Sequence, residues 1–104
     1  MRIILKVSLP TEVMNDLVRE GKLSSTMEKL LGRLKPEATY FTAMRGKRTA
    51  LIVVEVAEPS ELVKVAEPFF LTFGAGVEFY PAMLPEDLAK GTAEFGPLLA
   101  ELGR

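Results

Sequence analysis

Chemistry in this chain falls to amines, carboxylates and hydroxyls, because its 104 residues include no Cys and no His. Thiol catalysis, disulfides, Ser-His and Cys-His triads and nearly all zinc sites are thereby excluded. The most chemical set that remains is Lys6, Glu55 and Glu78. An ammonium flanked by two carboxylates forms a salt-bridged triplet. In a closed, poorly hydrated space such groups have shifted proton affinities, and one Glu then serves as a general base. At a rim or in water the same triplet is an ordinary ion-pair cluster. Tyr40, Thr42, Tyr80 and Ser8 add hydroxyls of the kind that orient an aromatic or carbonyl ligand within apolar walls. The two Tyr pack equally well in an interface that holds no ligand. Lys6, Tyr40, Thr42, Glu55, Glu78 and Tyr80 are therefore the candidate ligand-binding residues. No residue is assigned a catalytic role, since no recognised catalytic motif is present.

Other features have simpler explanations. Arg45, Lys47 and Arg48 surround Gly46 and offer positive charge to a phosphate or carboxylate, but no Gly-rich phosphate loop or stacked aromatic set accompanies them. A solvated turn explains them. Glu55 and Glu78, with no His or third acid, make a poor divalent-ion site, so neither metal nor cofactor is expected. Phe69, Phe70 and Phe73 follow helical spacing and read as core, and the five Met are scattered gap-fillers.

Positioning such residues requires a scaffold, and the apolar pattern supplies one. Arg2 to Leu9 alternates loosely and ends at Pro10, which predicts a first strand. Thr11 is the expected N-cap of a helix, with Glu12 and Asp16 near the positive end of its dipole. The stripe Val13, Met14, Leu17, Val18 and the later stripe Met27, Leu30, Leu31, Leu34 point about a quarter turn apart, with Gly21, Ser24 and Ser25 between them, so a kinked or broken helix to Leu34 is expected. Ala38 to Met44 and Thr49 to Val56 predict a hairpin around Arg45-Gly46-Lys47-Arg48. A helix opens at Glu58-Pro59-Ser60-Glu61, tolerates or bends at Pro68, and stops at Gly74 and Gly76. Val77 to Met83 reads as a fourth strand, and Pro85-Glu86-Asp87 opens a helical tail weakened by Gly91, Gly96 and Pro97.

The charge balance of 13 basic against 14 acidic residues leaves −1. It gives no electrostatic reason to expect nucleic acid or an anionic membrane surface as partner. The first apolar run, Ile3 to Leu5, is cut by Lys6 and is too short for a signal-peptide core or membrane span. A single cytoplasmic domain over residues 1–104 is the expectation.

The order strand, helix, strand, strand, helix, strand points to an α+β fold of the ferredoxin-like βαββαβ type, an antiparallel sheet with helices on one face and a C-terminal helical tail. Alternation places Ile3, Leu5, Val7, Phe41, Ile52, Val54, Val77 and Phe79 toward the helices. It places Ile4, Lys6, Ser8, Tyr40, Thr42, Leu51, Val53, Glu55, Glu78 and Tyr80 on the other face. With strand one between strands three and four, Lys6 is expected between Glu55 and Glu78. That second face is too apolar to stay in water, which predicts a cover.

The chain resembles the dimeric α+β barrel superfamily in topology. Locally, Leu34-Lys35-Pro36-Glu37-Ala38-Thr39-Tyr40-Phe41, Gly46-Lys47-Arg48-Thr49, Ala66-Glu67-Pro68 and the stretch from Val77 through Tyr80-Pro81-Ala82 to Leu88 resemble a branch of small bacterial proteins of unassigned function. The resemblance implies a homodimer through the open sheet faces enclosing a cavity, and no catalytic residues come with it. Haem-handling branches usually rely on an iron-binding His that this chain lacks. The leading expectation is a homodimer that binds a small organic molecule between its sheets. The alternatives are a cofactor-independent oxygenase or isomerase acting on a small aromatic or dicarbonyl substrate, with Tyr40, Tyr80 and one Glu positioning it, or a purely structural interaction module.

Overall fold

The computed structural model describes residues 1–104 and follows the order β1 (Arg2–Ser8), α1 (Thr11–Arg19), α2 (Leu23–Leu34), β2 (Ala38–Met44), β3 (Lys47–Glu55), α3 (Glu61–Phe73), β4 (Gly76–Ala82), α4 (Pro85–Thr92) and α5 (Phe95–Leu102). The strands form one antiparallel sheet in the order β2-β3-β1-β4. This is a small α+β fold whose element order fits the ferredoxin-like arrangement loosely, with α1 and α2 in place of one helix.

Local chemistry explains most of the boundaries. Pro10 is extended, and its carbonyl accepts the Met14 N–H at 3.0 Å. Pro10, not Thr11, is therefore the cap, and because Pro offers no side-chain oxygen the helix start has no side-chain hydrogen bond. The expected break between the two stripes is real: α1 ends at Arg19 and Gly21 takes φ +68°, a conformation that favours glycine. The hairpin is tighter than the four-residue tip expected, because β3 begins at Lys47. Arg45 and Gly46 alone make the turn with φ of +53° and +76°, the backbone twist that matches paired strands. Pro68 lies inside α3 without ending it. Gly74 closes that helix with φ +65°, whereas Gly76 is no stop but the first residue of β4, opposite Ser8.

The core lies between the sheet and α1 to α3. Ile3, Leu5, Val7, Ala50, Ile52 and Val54 from the two central strands meet Met14, Met27, Val65, Phe69 and Phe73. The face assignment from alternation therefore holds in β1 and β3. Phe41 and Phe79 share that parity, being paired with Ala50 and Leu5, yet both remain exposed. They sit on the edge strands, where the helices cover less of the sheet. Beyond β4 the chain leaves the body: no residue of α4 or α5 is buried. No helix is long and apolar enough to cross a membrane.

Candidate functional site

Register decides which of the candidate residues meet. Across the open face, Tyr40 pairs with Leu51, Leu51 with Lys6, and Lys6 with Glu78, so these four side chains form one row perpendicular to the strands. The neighbouring row is Ala38, Val53, Ile4 and Tyr80, and on the other side lies the row Thr42, Thr49, Ser8 and Gly76. Lys6, Tyr40, Thr42, Glu78 and Tyr80 thus occupy three successive rows of one sheet face.

Glu55 does not join them. It pairs with Arg2, four residues along β1 from Lys6, which is about 13 Å of strand. Its carboxylate instead meets the amino group of Met1 at 2.6 Å. The expected triplet is therefore a pair. Lys6 Nζ lies 3.3 Å from Glu78 Oε2, with the lysine side chain 23% exposed and the glutamate 54%. A half-exposed pair of this kind contributes little to folding, on the order of 1 kcal/mol or less. It does leave a charged centre in apolar surroundings, with Leu51 on one side and Ile4 in the next row.

An ion pair absent from the sequence reading closes one end of this face. Arg2 Nε donates to Glu37 Oε1 and Oε2 at 3.1 and 2.9 Å. That hydrogen bond, set against partial desolvation and aided by the charges of Glu37, Glu55 and Asp87, holds the guanidinium above its ordinary proton affinity. The signal available in the sequence was parity alone: Arg2 shares a face with Ile4 and Lys6. At the hairpin, Arg48 is occupied by structure, donating to Asn15 Oδ1 at 2.9 Å, which ties β3 to α1. No group of three acidic side chains converges as a metal site.

The open face is a surface in the single chain. Tyr40 and Tyr80 are 64% and 46% exposed, while Ile4, Leu51 and Val53 between them are half-buried by their neighbours. The concavity with the most apolar walls lies elsewhere, where α1 and α2 lean over the edge strand β2. It has a volume of about 460 Å³ and is lined by Leu9, Met14, Leu23, Met27, Leu31 and Phe41, with Glu28 and Arg48 among its polar residues. Sequence reasoning did not anticipate this groove, because its existence depends on how far α2 stands off β2. No protein-family model matches the chain, and no curated protein matches it.

Proposed function

We propose that the protein is a homodimeric binding module that holds a small organic molecule between two paired sheet faces. The observation that carries this reading is the row Tyr40, Leu51, Lys6, Glu78 with Ile4, Val53 and Tyr80 beside it. It combines an apolar floor and one ammonium, with a phenol on each edge strand about 14 Å apart across the sheet, the composition of a ligand site in which a few polar groups fix orientation. In water such a face is costly to leave open, and a second copy related by a twofold axis offers the same face in return. Lys6 supplies N–H donors beyond the one directed at Glu78, suited to a carboxylate or carbonyl oxygen of a flat molecule lying on Leu51 and Val53. The chemistry favours binding and orientation. Glu78 is already paired with Lys6, which makes it a poor base for proton abstraction.

The reading is tested by thermal-shift titration with a panel of small aromatic carboxylic acids and 1,3-dicarbonyl compounds, run on the parent, Lys6→Ala and Tyr80→Phe. Stabilisation of the parent by one class, weakened at least tenfold in apparent affinity by Lys6→Ala, is the expected result. Binding that is indifferent to both substitutions, or a parent that responds to none of the panel, overturns it.

A further inference from the structure

The C-terminal segment is the part of this chain that its own fold does not use. Its helix α5 carries Phe95, Leu98, Leu99 and Leu102 at i, i+3, i+4 and i+7, the spacing of a single apolar stripe, and all four are exposed. Leu84, at the start of α4, and Leu88 within it are exposed as well. The whole molecule reflects the detachment. Its radius of gyration is 17.9 Å and its longest dimension 62 Å, against about 13 Å for a compact chain of this length. Its accessible surface is 7287 Å² at 11.4 kDa, where a folded monomer of that mass exposes about 5,800 Å². The excess, about 1,500 Å², exceeds the roughly 800 Å² that each partner contributes to a standard stable interface.

The same chain also carries an unfilled apolar groove, lined by Leu9, Met14, Leu23, Met27, Leu31 and Phe41. The two features lie at opposite corners. Strand β4 ends beside Arg2, whereas the groove lies at the Leu9 end of β1 and against the far edge strand β2. Helix α3 packs against β4 on the helix side of the sheet.

We infer that α5 of one copy seats its Phe95, Leu98, Leu99 and Leu102 stripe in the α1–α2–β2 groove of a second copy, and that the second copy returns the contact. A twofold exchange satisfies both surfaces on both chains and leaves no free end for further addition. It covers the apolar stripe and fills the groove. This goes beyond the pairing of sheet faces and uses none of the same residues.

The absence of Cys makes a clean test possible. Chains carrying Ser24→Cys at the groove and chains carrying Leu99→Cys on the arm are mixed, refolded together and oxidised. The expected product is a disulfide between one chain of each kind, lost when Leu98→Asp is added to the arm and not formed when Lys64→Cys on α3 replaces Ser24→Cys. Links among Leu99→Cys chains alone, ring closure within a single chain carrying both Cys, or no link at all would each overturn the inference. Repeating the mixture with Leu51→Asp on the sheet face separates the two proposals. A link that persists there stands independently of sheet pairing, and loss of ligand response with the link intact is a failure of the binding reading alone.

Discussion

Helices α3 and α5 have similar compositions and opposite fates. Each carries an apolar stripe with Phe and branched side chains, and each contains a Pro. Helix α3 buries Val65, Ala66, Phe69 and Phe73 against the sheet, while α5 buries nothing. The difference lies in what the chain places opposite them. Strands β1 and β3 present Leu5, Ile52 and Val54 to the helix side, and α1 to α3 use that surface up. By the time the chain reaches Phe95 no apolar partner of its own remains within reach. An apolar stripe thus specifies that a surface needs cover, and the order of elements determines whether the cover is internal or another molecule.

Placing the same charge in the two regions breaks the comparison most sharply. Val54→Asp puts an unpaired carboxylate into a site only 3% exposed and is expected to cost several kcal/mol, enough to unfold a domain of this size. Leu98→Asp is expected to leave the circular dichroism of the body intact and weaken self-association, and Lys47→Ala, at the exposed start of β3, is expected to do neither. Equal melting temperatures for Val54→Asp and Lys47→Ala would show that the faces of β3 are wrongly assigned.

Truncation gives a smaller contrast. Phe69→Ala removes a ring that is completely buried and touches Phe73 at 6.4 Å between centroids, for an expected loss of about 3–5 kcal/mol in denaturant unfolding. Phe95→Ala removes a ring 54% exposed, and below the concentration of self-association it should change stability by no more than about 0.5 kcal/mol. A comparable loss from both would mean that the arm packs on its own body.

Smaller again is the Lys6–Glu78 interaction. A double-mutant cycle of Lys6→Met and Glu78→Gln should give a coupling below about 1 kcal/mol in dilute protein, where the pair is partly solvated, and a larger one at concentrations where the sheet faces pair and exclude water. Coupling that does not change with concentration would leave the open face unpaired.

The smallest effect concerns Glu61. Its carboxylate accepts the N–H groups of Ala57 and Glu58, which lowers its pKa below the ordinary 4.5. Folding therefore gains from the ionised form above that value, and the gain disappears as pH falls through the lower folded value. The parent should lose more stability than Glu61→Gln on acidification from pH 5, and parallel acid profiles would contradict this.

Much of this architecture was legible in the residues. Pro10 ends β1, Gly21 marks the helix break, and alternation in Ile3, Leu5, Val7, Ile52 and Val54 identifies the buried face. The candidate site was legible as a face but not as a register. Because side chains alternate with a period of two, sliding β3 by two or four residues changes no face assignment, yet it moves Glu55 from beside Lys6 to beside Arg2. Thr11 looked like a cap because of its type, and the carbonyl of Pro10 claimed the position first. The exposure of Phe41 and Phe79 reflects edge positions, and the groove depends on the separation of α2 from β2, a tertiary distance that local pattern does not contain.

The claim common to the sheet face and the arm is that a second copy covers what one chain leaves open. Sedimentation velocity of the full chain at micromolar concentration tests it most directly. The expected result is a species of twice 11.4 kDa that is more compact than two independent chains of 62 Å length. A single elongated species of 11.4 kDa, unchanged as concentration rises, would contradict it.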